Sequence, residues 1–163
     1  MTGVQTCALP ISDLLSGSEI VITAIGDGPL RDELASRPNS LCLGVRPAVD
    51  VAMAMAAADA LVHPSHYEGL PTALVEAAFA RLPIITTDAP GCVDLASEGR
   101  GVMVPVGDAA ALARALREAV DHREAARQRA ETMFLHACAY YDIEVNTNRL
   151  IERYRALAAQ RSN

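Results

Sequence analysis

Tryptophan is absent from the sequence, and aromatic residues make up only 4% of it. Since 51% of the 163 residues are nevertheless hydrophobic, the core must be built mainly from Ala, Leu, Val and Ile. Such small aliphatic side chains suit β-strands covered by Ala-rich helices better than an all-β sandwich. The length is enough for one domain with a proper core and is short for two.

Positive charge is also scarce, because 14 Lys and Arg stand against 20 Asp and Glu, which gives a formal net charge of -6. A surface that follows the phosphates of a nucleic acid needs clustered cations, so we expect no nucleic-acid partner. A small anionic ligand is not excluded, because it needs only a local group of hydrogen-bond donors.

The four cysteines lie far apart and form no CxxC pair: Cys7, Cys42, Cys92 and Cys138. This pattern predicts neither a disulfide framework nor a zinc site. No apolar run is long enough to span a bilayer, and the N-terminus lacks the basic flank of a secretory signal. We therefore expect a cytoplasmic chain with reduced thiols and no bound metal.

Apolar segments with strand character alternate with helical patterns along most of the chain. Pro29, Gly69 and Asp108 stand where helices are expected to begin, and the expected strands are residues 19–25, 40–44, 60–65, 83–88 and 101–106. This alternation predicts βαβ units. The predicted fold class is α/β, a Rossmann-like parallel sheet with helices on both faces and extra C-terminal helices.

The first dozen residues, MTGVQTCALPIS, show no clear helix or strand period. They resemble the translation of a common sequencing-library adapter. We therefore expect residues 1–12 to be a non-native segment and residues 13–163 to form one Rossmann-like domain.

The stretch YEGLPTALVEAAF places one carboxylate, Glu68, before a Gly-Leu-Pro turn and a second, Glu76, inside the helix that follows. Pro71 suits the first position of that helix, because its missing N–H costs nothing there. Spacing at i, i+3, i+4 and i+7 predicts a buried stripe of Leu70, Ala73, Leu74 and Ala77.

The backbone N–H groups of Gly69, Leu70 and Thr72 lie at the start of this helix, where free donors and the helix dipole attract an anion. Glu68 and Glu76 would repel a phosphate, but they accept hydrogen bonds from hydroxyls. The order carboxylate, amides, carboxylate suits a sugar, a diphosphate and a ribose. From spacing alone, an ordinary solvated helix face remains the alternative, since short motifs match by chance.

The same stretch, with seven residues between its two glutamates, resembles the E-x7-E signature of the family 4 (group 1) glycosyltransferases, which have the GT-B fold. Five further segments agree in the same order: IGDGPLRDEL, LGVRPAV, AAADALVHPSHYEGLP, LPIITTDAPG and EGRGVMVPVGDAAALARAL. The resemblance covers about residues 19–160 and concerns the C-terminal, donor-binding half of such enzymes. It implies that residues 13–163 form a nucleotide-sugar-binding domain and that the acceptor domain is absent.

The resemblance implies transfer of a glycosyl group from a nucleotide-diphosphate sugar to an acceptor hydroxyl, with retention of anomeric configuration. Glu68 is the implied catalytic residue and would hold hydroxyls of the donor sugar, while Glu76 would hold the ribose hydroxyls. The amides of Gly69, Leu70 and Thr72 would hold the diphosphate.

The resemblance also implies a base pocket lined by Gly44, Val45 and Arg46, after the second strand. It implies no metal or other cofactor, because GT-B enzymes stabilise the leaving diphosphate with a helix dipole and cations. The implied partners are the nucleotide sugar and a sugar or lipid-linked acceptor, which a missing N-terminal domain would bind. The full enzyme would then associate peripherally with a membrane.

Alternatives remain on related folds. A GT-B sugar-nucleotide epimerase would share most of these segments, whereas a phosphorylase would need a cofactor-binding lysine, and the chain has no lysine-rich candidate site. A non-enzymatic flavodoxin-like module would not require Glu68 and Glu76 around the turn. Ser65 lacks the G-x-S-x-G context of a hydrolase nucleophile, and we expect packing or surface roles for His63 and His66.

Two departures from the family pattern generate the first prediction. The family usually supplies an Arg and a Lys to the diphosphate from a segment where this chain carries the adapter-like residues, and the acceptor domain is missing. We expect the 163-residue chain alone to bind donors weakly and to show negligible transferase turnover. A turnover assay with nucleotide sugars checks this, and rates typical of a complete enzyme would contradict it.

Overall fold

The computed structural model describes residues 8–161. Helices and strands alternate through the first two thirds of the chain, and three helices follow: α1 (Ala8–Leu14), β1 (Ile22–Ile25), α2 (Arg31–Ala35), β2 (Ser40–Gly44), α3 (Ala48–Ala57), β3 (Leu61–His63), α4 (Thr72–Phe79), β4 (Ile84–Thr87), α5 (Cys92–Ala96), β5 (Val102–Val104), α6 (Ala109–Asp121), α7 (Arg123–Tyr140) and α8 (Ile143–Arg161). The predicted α/β class is confirmed.

The strands form two parallel sheets, whereas the sequence analysis expected one. One sheet has the order β1-β2 and the other the order β3-β4-β5. Ile22 of β1 and Val62 of β3 pack against the same hydrophobic cluster. Packing of side chains, rather than a ladder of hydrogen bonds, therefore holds the two sheets together in the residues that the structure describes.

Four of the five strands are shorter than expected, and a proline follows two of them. β3 ends at His63 before Pro64, and β5 ends at Val104 before Pro105. Proline has no N–H to donate to the next rung of a ladder, so pairing stops at these points.

The core consists of two hydrophobic clusters on opposite faces of β4. Ile85 belongs to one cluster with Leu112 and Leu116 of α6. Ile84 belongs to the other, which gathers side chains from α4, α5 and α7: Leu74, Leu95 and Met133. Successive residues of a strand point to opposite faces, so β4 is covered on both sides.

Helix α1 was not predicted from the sequence. Ile11 is buried in the cluster around Leu112, and the Ser12 hydroxyl donates a hydrogen bond of 2.8 Å to Oδ1 of Asn39. Ile11 and Ser12, which belong to the segment expected to be non-native, are therefore packed into the domain. Residues 1–7, with Cys7, lie outside the described residues, and a non-native origin of residues 1–12 stays a prediction.

The C-terminal helices begin as the sequence indicates. The Asp108 carboxylate caps α6 by accepting a hydrogen bond of 2.8 Å from the Ala111 N–H.

In α8, the apolar side chains of Leu150, Tyr154 and Leu157 are exposed. Among the helices of residues 8–161, none combines the length and apolarity needed to cross a membrane.

Burial predicts a clear difference between two leucines in helices. Leu112→Ala should lower the free energy of unfolding by about 2–5 kcal/mol, because it leaves a cavity in a fully buried site. The control is Leu135→Ala in α7, a leucine with 61% of its surface exposed, which should change that energy by less than about 1 kcal/mol. Urea unfolding measures both, and equal losses would contradict the assignment of the core.

Candidate functional site

The loop between β3 and α4 is held by the turn that follows β4. The backbone N–H of Glu68 donates a hydrogen bond of 3.1 Å to the carbonyl of Pro90. Parallel pairing of β3 with β4 brings the carboxyl ends of these strands together, so the two connections meet at one edge of the sheet. Binding sites of open α/β folds lie at such an edge.

Gly91 allows this close approach. A Cβ atom at residue 91 would lie 2.5 Å from the carbonyl oxygen of Glu68 and 2.7 Å from that of Gly69. The φ angle of Gly91 is +84°, in the region that favours glycine. Both the space and the backbone conformation therefore require glycine here.

The Glu68 carboxylate turns inward, toward two side chains of the preceding segment. Its Oε1 atom accepts a hydrogen bond of 2.9 Å from the hydroxyl of Ser65, which is fully buried. Nε2 of His63 lies 3.3 Å from the same Oε1. Only 20% of each of the His63 and Glu68 side chains is exposed, so this contact is shielded from solvent.

Burial and charge act in opposite directions on His63. Burial lowers the pKa of the imidazole below its ordinary value, and the negatively charged Glu68 carboxylate, 3.3 Å away, opposes that shift. Beneath them, burial raises the pKa of the Cys92 thiol, a hydrogen bond with Thr86 lowers it, and the charge of Glu68 raises it. A neutral imidazole beside a carboxylate is the state these effects favour.

Polar groups under the loop are tied to the sheet. The Thr86 hydroxyl donates a hydrogen bond of 2.9 Å to the His63 carbonyl, and the Thr87 hydroxyl donates to the Ser65 carbonyl. Thr86, Thr87 and Ser65 are all fully buried. Buried hydroxyls with partners rigidify their surroundings, so the segment from His63 to Ser65 is well fixed.

The structure brings the predicted amide donors together at the start of α4. Within residues 8–161, none of the hydrogen bonds is donated by the N–H of Gly69, Leu70 or Thr72. Pro71 takes the N-cap position, one residue before the predicted one. Leu70 is 54% exposed and not part of the buried stripe, because it precedes the helix and does not share its inner face.

Glu76 lies on the outer face of α4 and is exposed, as is Thr72 one turn before it. The inner face of the same helix carries the buried residues Leu74, Ala77 and Ala78. Glu76 is therefore accessible to a ligand that also touches the start of the helix.

The predicted base-pocket residues lie in the other sheet. Gly44 ends β2 with a φ of +72°, and Val45 and Arg46 follow it on the surface. A Cβ at residue 44 would come within 3.6 Å of the Arg31 guanidinium, so this cation lies beside the predicted pocket. No hydrogen bond or ion pair of the described residues joins this group to Glu68 or Glu76.

Arg81, which follows α4, has a structural role. Its Nε donates to Oε2 of Glu131 at 2.9 Å, and its guanidinium lies 3.7 Å from the centre of the Phe134 ring. These contacts join the end of α4 to α7.

Sequence reasoning missed two residues of the site. Ser65 was considered only as a nucleophile, although a hydroxyl three residues before an acid is a common local partner. The sequence Pro90-Gly91 is typical of a turn, but it does not reveal the close approach of Gly91 to Glu68, because that depends on the pairing of β3 with β4. His63, expected to have a packing or surface role, lies against the Glu68 carboxylate.

No three His, Cys, Asp or Glu side chains of residues 8–161 are grouped as metal ligands would be. The free thiols among these residues are those of Cys42, Cys92 and Cys138. Independence from metal remains a prediction, which depends on the family resemblance.

The chain is similar to proteins of known family. The family model described as "Glycosyl transferases group 1" matches residues 3–122. The chain is 29% identical over 154 residues to a GDP-mannose-dependent alpha-mannosyltransferase of Mycobacterium tuberculosis, a match that covers 93% of this chain and 40% of the relative. It spans between 25% and 40% of the length of the curated relatives it matches.

Solved structures agree in fold. HepE of Anabaena in complex with UDP superposes with a TM-score of 0.82 at 19% identity, over 96% of this chain and 47% of that one. Sucrose-phosphate synthase of Thermosynechococcus elongatus superposes with a TM-score of 0.81 at 21% identity, over 94% and 42%. These likenesses extend through nearly the entire chain.

The contact at Gly91 can be separated from simple backbone strain. Gly91→Ala should destabilise the protein by at least about 2 kcal/mol more than Gly107→Ala, because only the former creates a clash. Gly107 has a nearly equal φ of +83° and no atom within 4 Å of an added Cβ, so it is a matched control.

Urea unfolding measures the two losses, and amide chemical shifts report the loop. Gly91→Ala should move the amide signals of Glu68 and Gly69, whereas Gly107→Ala should leave them in place. Equal destabilisation by the two variants would show that the close approach does not constrain the loop.

Proposed function

Because this chain belongs to the group 1 glycosyltransferases, we propose that it is the donor-binding half of a retaining enzyme that transfers a sugar from a nucleotide-diphosphate sugar to an acceptor hydroxyl. The observation that carries the proposal is the arrangement around the start of α4. The shielded Glu68 carboxylate precedes a group of backbone N–H groups that donate no hydrogen bond among the described residues, and the exposed Glu76 carboxylate follows this group.

The diphosphate is assigned to the amides of Gly69, Leu70 and Thr72. N–H groups at a helix start carry partial positive charge, and they accept an anion without the cost of breaking an existing bond. In transfer, negative charge develops on the diphosphate as the glycosidic bond breaks. Donors held in place before the reaction stabilise that charge best.

The two carboxylates are assigned to hydroxyls on either side of the diphosphate. Glu68 would accept hydrogen bonds from the donor sugar and fix its orientation at the reacting carbon, which makes it the catalytic residue. Glu76, one to two turns into α4, would accept from the ribose. Ionised carboxylates have only acceptors, so they select hydroxyls and reject phosphate oxygens.

The nucleotide base is assigned to Gly44, Val45 and Arg46, with Arg31 beside them. The guanidinium groups of Arg31 and of the exposed Arg46 offer hydrogen-bond donors to the edge of a base. Relatives and neighbours support a nucleoside-diphosphate donor without fixing its base, because the mycobacterial relative is named for GDP-mannose and HepE was solved with UDP and with UDP-glucose.

The acceptor is assigned to a part of the enzyme outside this chain, which covers 40% or less of its curated relatives. The exposed apolar face of α8 is where we expect that part to pack. We propose a sugar or lipid-linked acceptor, action without a metal, and a full enzyme that works at the cytoplasmic face of a membrane.

Titration calorimetry with UDP, UDP-glucose, GDP and GDP-mannose tests this assignment. Glu76→Gln should lower the affinity for nucleotides and for nucleotide sugars alike, by roughly 10-fold, because both carry the ribose. Glu68→Gln should lower only the affinity for the nucleotide sugars, by a similar factor, since the sugar is the part that Glu68 would touch.

Glu152→Gln in α8 is the control, because it removes the same charge from an exposed position away from the site. Indifference of the chain to all four compounds would refute a donor-binding role. Equal effects of all three variants would show that net charge, rather than the two assigned contacts, governs binding.

A further inference from the structure

We propose that His63 is a positioning residue for the Glu68 carboxylate: together with Ser65 it holds Oε1, so that Oε2 is presented to the donor sugar. The inference rests on the proposed function, because it concerns the sugar contact of Glu68. It adds a residue that the E-x7-E pattern does not contain.

The first argument is geometric. Both inward contacts of Glu68 are made to one oxygen, since Ser65 Oγ lies 2.9 Å and His63 Nε2 lies 3.3 Å from Oε1. A carboxylate held at one oxygen keeps the other for a ligand and loses the freedom to rotate. Glu68 lies in a loop, so such an anchor matters more here than it would on a strand.

The second argument is that, among the described residues, the His63 side chain has no polar contact other than the one with Glu68. Its Nε2 is buried and makes no well-aligned hydrogen bond among the described residues, although it lies within ion-pair distance of Glu68. A buried donor without an aligned partner is costly, so one facing a carboxylate needs an explanation.

The third argument is that His63 is itself rigid. It is paired with Thr86 in the parallel ladder, and its carbonyl accepts a hydrogen bond from the Thr86 hydroxyl. A residue that is fixed in the sheet therefore contacts a carboxylate that lies in a loop, and this contact restricts the movement of the carboxylate. The groups that face this contact are Glu68 itself and, from the adjoining elements, Ser65, Thr86 and the Cys92 thiol.

The test compares His63→Leu with His63→Gln. Gln retains an N–H near the position of Nε2, whereas Leu has the bulk but no donor. With whichever of UDP-glucose and GDP-mannose binds the unmodified chain, His63→Leu should lose about 5-fold or more in affinity, and His63→Gln should stay within about 2-fold. Affinity for UDP and GDP should not change, because these nucleotides lack the sugar.

His122→Gln is the matched control, since this histidine lies at the junction of α6 and α7, beside Pro83 at the opposite end of β4. If the unmodified chain binds none of the four compounds, the proposed function fails and the inference with it. If it binds a nucleotide sugar and His63→Leu binds equally well, the inference alone is overturned. Equal losses for nucleotide and nucleotide sugar also overturn it, because they indicate a general change of the loop.

A measurement without ligand covers the case in which His63→Leu does not fold. The charge of Glu68 raises the pKa of His63 against the effect of burial, so Glu68→Gln should lower that pKa further. Nuclear magnetic resonance titration of the imidazole reports this value directly. An unchanged pKa would show that the two groups do not interact, and the proposal would then be wrong.

Discussion

The site depends on one close contact, the approach of the Pro90–Gly91 turn to the backbone of Glu68 and Gly69. It leaves no room for a Cβ atom at residue 91, and it fixes the Glu68 N–H on the Pro90 carbonyl. Among the described residues, the N–H groups of Gly69, Leu70 and Thr72 in and after this loop donate no hydrogen bond. The positions of the carboxylate and of the start of α4 both follow from the pairing of β3 with β4.

Beneath the loop lies a buried layer of polar side chains, which is unusual for the end of an apolar sheet. Thr86 and Thr87 donate to carbonyls of the preceding strand and loop, and Ser65 donates to Glu68. Each is buried with a partner, so the layer adds rigidity at little cost in desolvation. It gives a surface loop the support that functional groups need.

The sequence predicted most of the strands and helices because their patterns are local. It did not predict α1, whose place depends on contacts such as that of Ser12 with Asn39, 27 residues away. It expected Leu70 to be buried, since a periodic pattern does not locate the first residue of a helix. The carboxylates and amides of the candidate site were predicted from spacing together with the family resemblance, and their roles stay predictions. The contacts of Gly91 and the partners of Glu68 could not be predicted, because they depend on which strands pair.

The burial of β4 on both faces has a consequence for how the protein opens. Ile84 and Ile85 belong to different clusters, and all four residues of the strand are buried. Loss of the helices on one side would still leave the strand covered on the other. Its amide hydrogens should therefore exchange with solvent deuterium only when the entire domain unfolds, while α8 exchanges through local fraying.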